Sequence, residues 1–102
     1  MKKICVIGSI NMDLVIETEY PPVMGETVFG KGFKTIPGGK GANQAVAAAL
    51  LGNEVSFIGA VGEDSFGEQL GENLKSFNVD VSGVECTGTS GIAMIVVSGG
   101  DN

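Results

Sequence analysis

Residues 37–52 read Pro37-Gly38-Gly39-Lys40-Gly41-Ala42-Asn43-Gln44-Ala45-Val46-Ala47-Ala48-Ala49-Leu50-Leu51-Gly52. A glycine turn opens directly into an alanine-rich stretch, and Gly52-Asn53 supplies a glycine stop signal at its end. The spacing predicts a helix over residues 41–51, with one lysine, Lys40, and one amide, Asn43, at its mouth. A helix mouth has unpaired N–H groups and the positive end of the macrodipole. Glycines there let a ligand approach the backbone closely. With a cation and an amide added, the segment suits a small polar or anionic molecule. The plain alternative is a strand-to-helix turn with no ligand. The alanines at 42, 45, 47, 48 and 49 make a small face that lets the helix lie close to a sheet.

Two phosphate-binding motifs do not fit. A Walker A loop needs glycine, four residues, then Gly-Lys-Ser/Thr. Gly39-Lys40 matches its end, but position 34 is Lys34 and position 41 is Gly41. The dinucleotide fingerprint needs three spaced glycines after a strand. The first apolar run ends in Gly8-Ser9-Ile10-Asn11-Met12-Asp13, with a single glycine.

Composition narrows the rest. The 102 residues suffice for one small domain. A net charge of −6 makes a poor nucleic-acid binder. The absence of histidine excludes a histidine triad, and with two cysteines a zinc site is not expected. Cys5 and Cys86 read as separate buried thiols rather than a disulfide. Met1-Lys2-Lys3 runs straight into an apolar strand, which is not a signal peptide, and no apolar run reaches membrane-spanning length. A cytoplasmic location without membrane contact is the expectation.

Apolar periodicity divides the strands into two kinds. Residues 4–8 and 55–61 are almost continuously apolar, the pattern of parallel strands buried on both faces. Residues 14–20, 27–36 and 91–98 read as half-exposed strands, the second as one or two around Gly30 and Gly32. Residues 79–84 are short and apolar at alternate positions. Asp64 and Ser65 read as helix-capping residues, Ser65 with Glu68 fitting a capping box ahead of a helix over residues 66–77, striped by Phe66, Leu70, Leu74 and Phe77. Gly99-Gly100 signals a hairpin with no second strand after it, and two buried strands are too few to bury both faces of a parallel sheet. Both features lead to the expectation of an N-terminal piece of a larger protein. A small protein that completes its sheet by oligomerising is the alternative.

The two turns together resemble the opening of the ribokinase-like, pfkB-type carbohydrate kinases. The family signature runs Gly-Gly, a small residue, Asn, then glycines at the helix end and ten residues on, here Gly38-Gly39, Gly41, Asn43, Gly52 and Gly62. Gly8-Ser9-Ile10-Asn11-Met12-Asp13 and Gly62-Glu63-Asp64-Ser65-Phe66-Gly67 resemble the family's turns too. The likeness covers essentially all 102 residues. It implies an α/β sandwich, of which this is the N-terminal part, with a small β-sheet lid. The core would be about residues 1–10 and 38–80, the lid about 11–37 and 88–102.

The resemblance further implies transfer of the ATP γ-phosphoryl to a sugar hydroxyl, with D-ribose to ribose 5-phosphate favoured. Other sugar or nucleoside kinases of the fold remain alternatives, as does a non-catalytic sugar-binding or dimerisation module. The matched sugar contacts are Asn11, Asp13, Gly39, Lys40 and Asn43. A carboxylate can accept from two hydroxyls, and amides both donate and accept. Each has a plainer alternative, Asn11 or Asp13 as a turn cap and Asn43 as a first-turn helix residue. ATP, Mg2+ and a monovalent cation are implied at sites outside this chain. No Gly-Ala-Gly-Asp segment is present, and Asp101 falls in the expected lid hairpin, so no catalytic base and no metal ligand is assigned. The chain alone is expected to be inactive. A homodimer joined lid to lid is the implied assembly.

Overall fold

The computed structural model describes residues 2–98. Six strands and two helices follow in the order β1 (Lys3–Ile7), β2 (Asn11–Thr18), β3 (Gly32–Gly38), α1 (Lys40–Leu50), β4 (Glu54–Val61), α2 (Ser65–Ser76), β5 (Asp80–Cys86) and β6 (Gly91–Ser98). They form two three-stranded sheets. One is all-parallel, ordered β1-β4-β5. The other is mixed, ordered β3-β2-β6, with β2 antiparallel to β3 and parallel to β6. This α/β architecture with a small second sheet is the fold class expected from sequence.

Parallel neighbours need a crossover, and α1 and α2 supply it for β4 and β5. Both helices lie against the parallel sheet. Gly41, Ala42 and Ala45 are the buried residues of α1, so the helix approaches closely. Ala47 is exposed, because a face at 3.6-residue spacing takes positions 42, 45 and 49 and leaves 47 opposite. Leu70 and Leu74 of α2 are fully buried with Val55 and Phe57, and Phe66 and Phe77 pack against them. Met12 from β2 enters this same core, 1% exposed, and ties the mixed sheet to it.

Several expectations need correction. The parallel sheet has three strands, since residues 80–86 join it as β5. Its strands are not buried on both faces. The helices cover the side bearing Ile4, Val6, Val55 and Phe57, and the other side leaves Ile7 76% and Ile58 46% exposed. Cys5 lies on that bare side, and both cysteines are free but exposed rather than buried. Of the two expected capping residues, Asp64 caps α2, and the Ser65–Glu68 capping box does not form. The Asp64 carboxylate accepts from the Gly67 N–H at 2.8 Å, and Ser65 is already helical. Residues 27–36 yield a single strand that starts at Gly32 and carries Pro37 on the sheet edge, where a missing N–H costs no ladder bond. Gly99, Gly100 and Asp101 lie outside the described residues.

Candidate functional site

Three short connections join the two sheets, and the candidate residues gather at two of them. Gly8-Ser9-Ile10 links β1 to β2, and Gly39 links β3 to α1. The two links touch, with the Ala42 N–H donating to the Ser9 carbonyl at 3.1 Å. Gly39 has φ +101°, a conformation natural to glycine, and an added Cβ would stand 2.6 Å from that same carbonyl oxygen. No side chain caps α1, and no acidic residue stands in its first turn. The positive end of its dipole is therefore left for a ligand or solvent.

Asn11 and Asp13 stand two residues apart on β2 and share one face of the mixed sheet. The Asn11 side-chain amide donates to Asp13 Oδ1 at 2.8 Å. Gly38 pairs with Asn11 across the ladder, and its Cα lies against the Asp13 carboxylate. Neither residue caps a turn. Both sit within the strand, and among the described residues the Asp13 carboxylate accepts only from Asn11. Asp13 Oδ2 is thus left with acceptor capacity. Lys40 is the first residue of α1 and Asn43 lies one turn further, and both side chains are exposed. The structure brings Asn11, Asp13, Gly38 and Gly39 into one cluster. Lys40 and Asn43 stand on the adjoining first turn and make no hydrogen bond to the β2 pair.

Asn11 and Asp13 are half-buried, Gly38 beside them is buried, and Lys40 and Asn43 are exposed at the helix mouth. The same sheet face continues away from Asp13 as a groove of about 590 Å³, walled by Val15, Ile36, Ile95 and Val97. No group of three or more His, Cys, Asp or Glu gathers among the described residues. Among the described residues no helix is long and apolar enough to cross a membrane.

One polar cluster was not legible in the sequence. At the third link between the sheets, residues 87–90 dock on residues 61–64. The Asp64 carboxylate accepts from the Ser90 N–H at 2.8 Å, the Ser90 hydroxyl at 2.7 Å and the Gly67 N–H. The Ser90 backbone bond foremost, then its hydroxyl and the Gly67 N–H, hold the Asp64 carboxyl below the usual carboxylate range. Asp80 is held low likewise by the Ser82 N–H and hydroxyl. Asp64 reads locally as a cap, but its partner 26 residues away carries no sequence signal.

The family model described as pfkB family carbohydrate kinase matches residues 1–102, and the chain belongs to this family. It is 53% identical to the ribokinase of Bacillus subtilis over 104 residues, covering 100% of this chain and 36% of that protein. It is 45% identical to the deoxyribokinase of Salmonella typhi, covering 93% of this chain and 32% of that one. The structure of Arabidopsis thaliana ribokinase complexed with ribose and ATP superposes with a TM-score of 0.88 at 34% identity, over 97% of this chain and 33% of that one. The chain thus spans about a third of the length of the relatives it matches.

Proposed function

We propose that this chain supplies the sugar-side half of a carbohydrate kinase site, in which the γ-phosphoryl of ATP passes to O5 of D-ribose. The observation that carries the reading is the bonded Asn11–Asp13 pair set beside an uncapped helix mouth. Asp13 accepts from two sugar hydroxyls, and Asn11 fixes its orientation while keeping its own oxygen free to accept. Lys40, Asn43 and the Gly39 backbone contribute from the helix side. Such transfer depends on holding the acceptor hydroxyl in line with the phosphoryl group. The parallel sheet with its helices acts as the core, and the mixed sheet as the lid. ATP, Mg2+ and a monovalent cation bind residues outside these 102, and the chain alone does not turn over ATP. The working location is the cytoplasm.

A second reading is supported by the Salmonella typhi relative, which is named a deoxyribokinase. The acceptor would then be 2-deoxy-D-ribose. Amide-detected titration of the labelled chain with D-ribose, 2-deoxy-D-ribose and D-fructose separates these. Ribose should move the side-chain amides of Asn11 and Asn43 at the lowest concentration. A stronger response to deoxyribose selects the second reading, and one to fructose contradicts both.

The assembly we propose is a homodimer joined through the mixed sheet. Phe33, Ile92, Met94 and Val96 alternate onto one face and are 45–66% exposed. Val15 lies on the opposite face beside the groove, because its register partners are Lys34 and Ile95 rather than Phe33 and Val96.

A further inference from the structure

The bonds around Asp64 exceed what capping α2 requires. Gly67 alone would satisfy a cap. The other two bonds reach Ser90, which is 8% exposed and directly precedes β6. Ser90 Oγ also accepts from the Gly62 N–H at 2.9 Å, and the Glu63 N–H donates to the Gly88 carbonyl at 2.7 Å. An added Cβ on Gly62 would overlap the Ser90 nitrogen, so the two segments are in direct backbone contact. Gly91 follows Ser90 and is the ladder partner of Asn11. A Cβ on Gly91 would stand 3.5 Å from the Asn11 Cβ. Asn11 in turn donates to Asp13. A continuous path therefore runs Asp64, Ser90, Gly91, Asn11, Asp13, from the parallel-sheet side to the candidate sugar pair.

We infer that Asp64 is a positioning residue for the sugar site: it anchors Ser90, and through Gly91 holds Asn11 and Asp13 in register with the helix mouth. The inference rests on the proposed sugar reading for its functional meaning, but its structural content stands apart from it. Hydrogen bonds to a charged acceptor are the strong ones, and this carboxylate spends two of its three on the neighbouring sheet.

The test separates capping from positioning. Asp64→Asn keeps an oxygen for the Gly67 N–H, and asparagine caps helices well. It sets an NH2 group where Oδ2 accepts the Ser90 N–H, so two donors face each other. Ser90→Ala leaves the cap intact and removes the hydroxyl. Hydrogen exchange on the 102-residue chain should show amides at the start of β6 and the Asn11 side-chain amide exchanging about tenfold faster in both variants. Amides at residues 70–74 should be unchanged in both variants. Acceleration confined to α2, or unchanged exchange at Asn11 in Asp64→Asn, would overturn the inference. If Asp64→Asn fails to fold, unchanged exchange at Asn11 in Ser90→Ala, which loses the hydroxyl's bonds to both Asp64 and Gly62, overturns it instead. Titration with D-ribose adds the second arm. The Asn11 response should weaken about tenfold in both variants, and an undiminished response overturns positioning. No ribose response in the unmodified chain, with the exchange result intact, sinks the sugar reading and leaves the anchor standing.

Discussion

Asp13 Oδ2 lies 2.7 Å from the point where a Cβ on Gly38 would be, and Oδ1 lies 2.9 Å from it. Glycine at position 38 and the carboxylate at position 13 therefore occupy one another's space. The backbone at Gly38 is strand, so the requirement is room rather than unusual torsion angles. Gly38→Ala should push the carboxylate off the Asn11 amide and weaken the ribose response about tenfold, the loss of about 1.4 kcal/mol. An unchanged response would mean that Asp13 keeps its function in a second rotamer.

Asp13→Ala tests the carboxylate itself. A hydrogen bond to a charged group is worth about 1.5–3 kcal/mol. Loss of the carboxylate should weaken sugar binding at least about tenfold. Thermal stability should change little, because Asp13 holds no backbone group. An early-melting variant that binds sugar normally would make Asp13 a structural residue.

Acid should loosen the junction between the sheets. Asp64 and Asp80 are both held below the ordinary carboxylate value of 3.8 by hydrogen bonds that favour the charged form. A group with a depressed folded pKa contributes stability that is present above its unfolded value and is lost as pH falls through the folded one. Melting temperature should therefore be flat from neutrality down to about pH 4 on account of these two groups and fall below it. In Asp64→Asn the fall should be shallower. An unchanged acid slope in that variant would show that the carboxylate contributes nothing to pH-dependent stability.

Self-association should map to the face that carries Phe33 and Val96. Large exposed apolar patches mark interfaces. Sedimentation velocity should show a dimer at micromolar concentration and a monomer for the Phe33→Lys/Val96→Lys variant. A monomeric unmodified chain refutes the assembly. A dimer that survives the double lysine change moves the interface to the bare side of the parallel sheet, around Ile7 and Ile58.

The helices and five of the strands were legible because each announces itself locally. Leu70 and Leu74 stand one turn apart on a buried stripe, and residues 91–98 match β6 as observed. Asn11 and Asp13 were legible as residues but not as a bonded pair within a strand. The failures share one cause. Sequence periodicity reports how a strand is buried, not which sheet it joins. β5 alternates like a strand of the mixed sheet yet lies at the edge of the parallel one, where a single covered face is enough. The side of β1 bearing Cys5 and Ile7 reads as buried because its residues are apolar, and nothing in a single strand tells how many layers cover it. Ser90 was invisible because its partner Asp64 lies 26 residues back and completes its own local motif as a cap.

Joining residues 1–98 to the C-terminal two-thirds of Bacillus subtilis ribokinase and measuring sugar-dependent release of ADP puts the half-site to its sharpest test. Turnover with D-ribose should exceed that with 2-deoxy-D-ribose, D-fructose or adenosine, should be lost in Asp13→Ala, and should be absent from the 102-residue chain alone. A folded, ATP-binding chimera that shows no ribose-dependent turnover, or that keeps it in Asp13→Ala, would contradict the assignment of the sugar half-site to this chain.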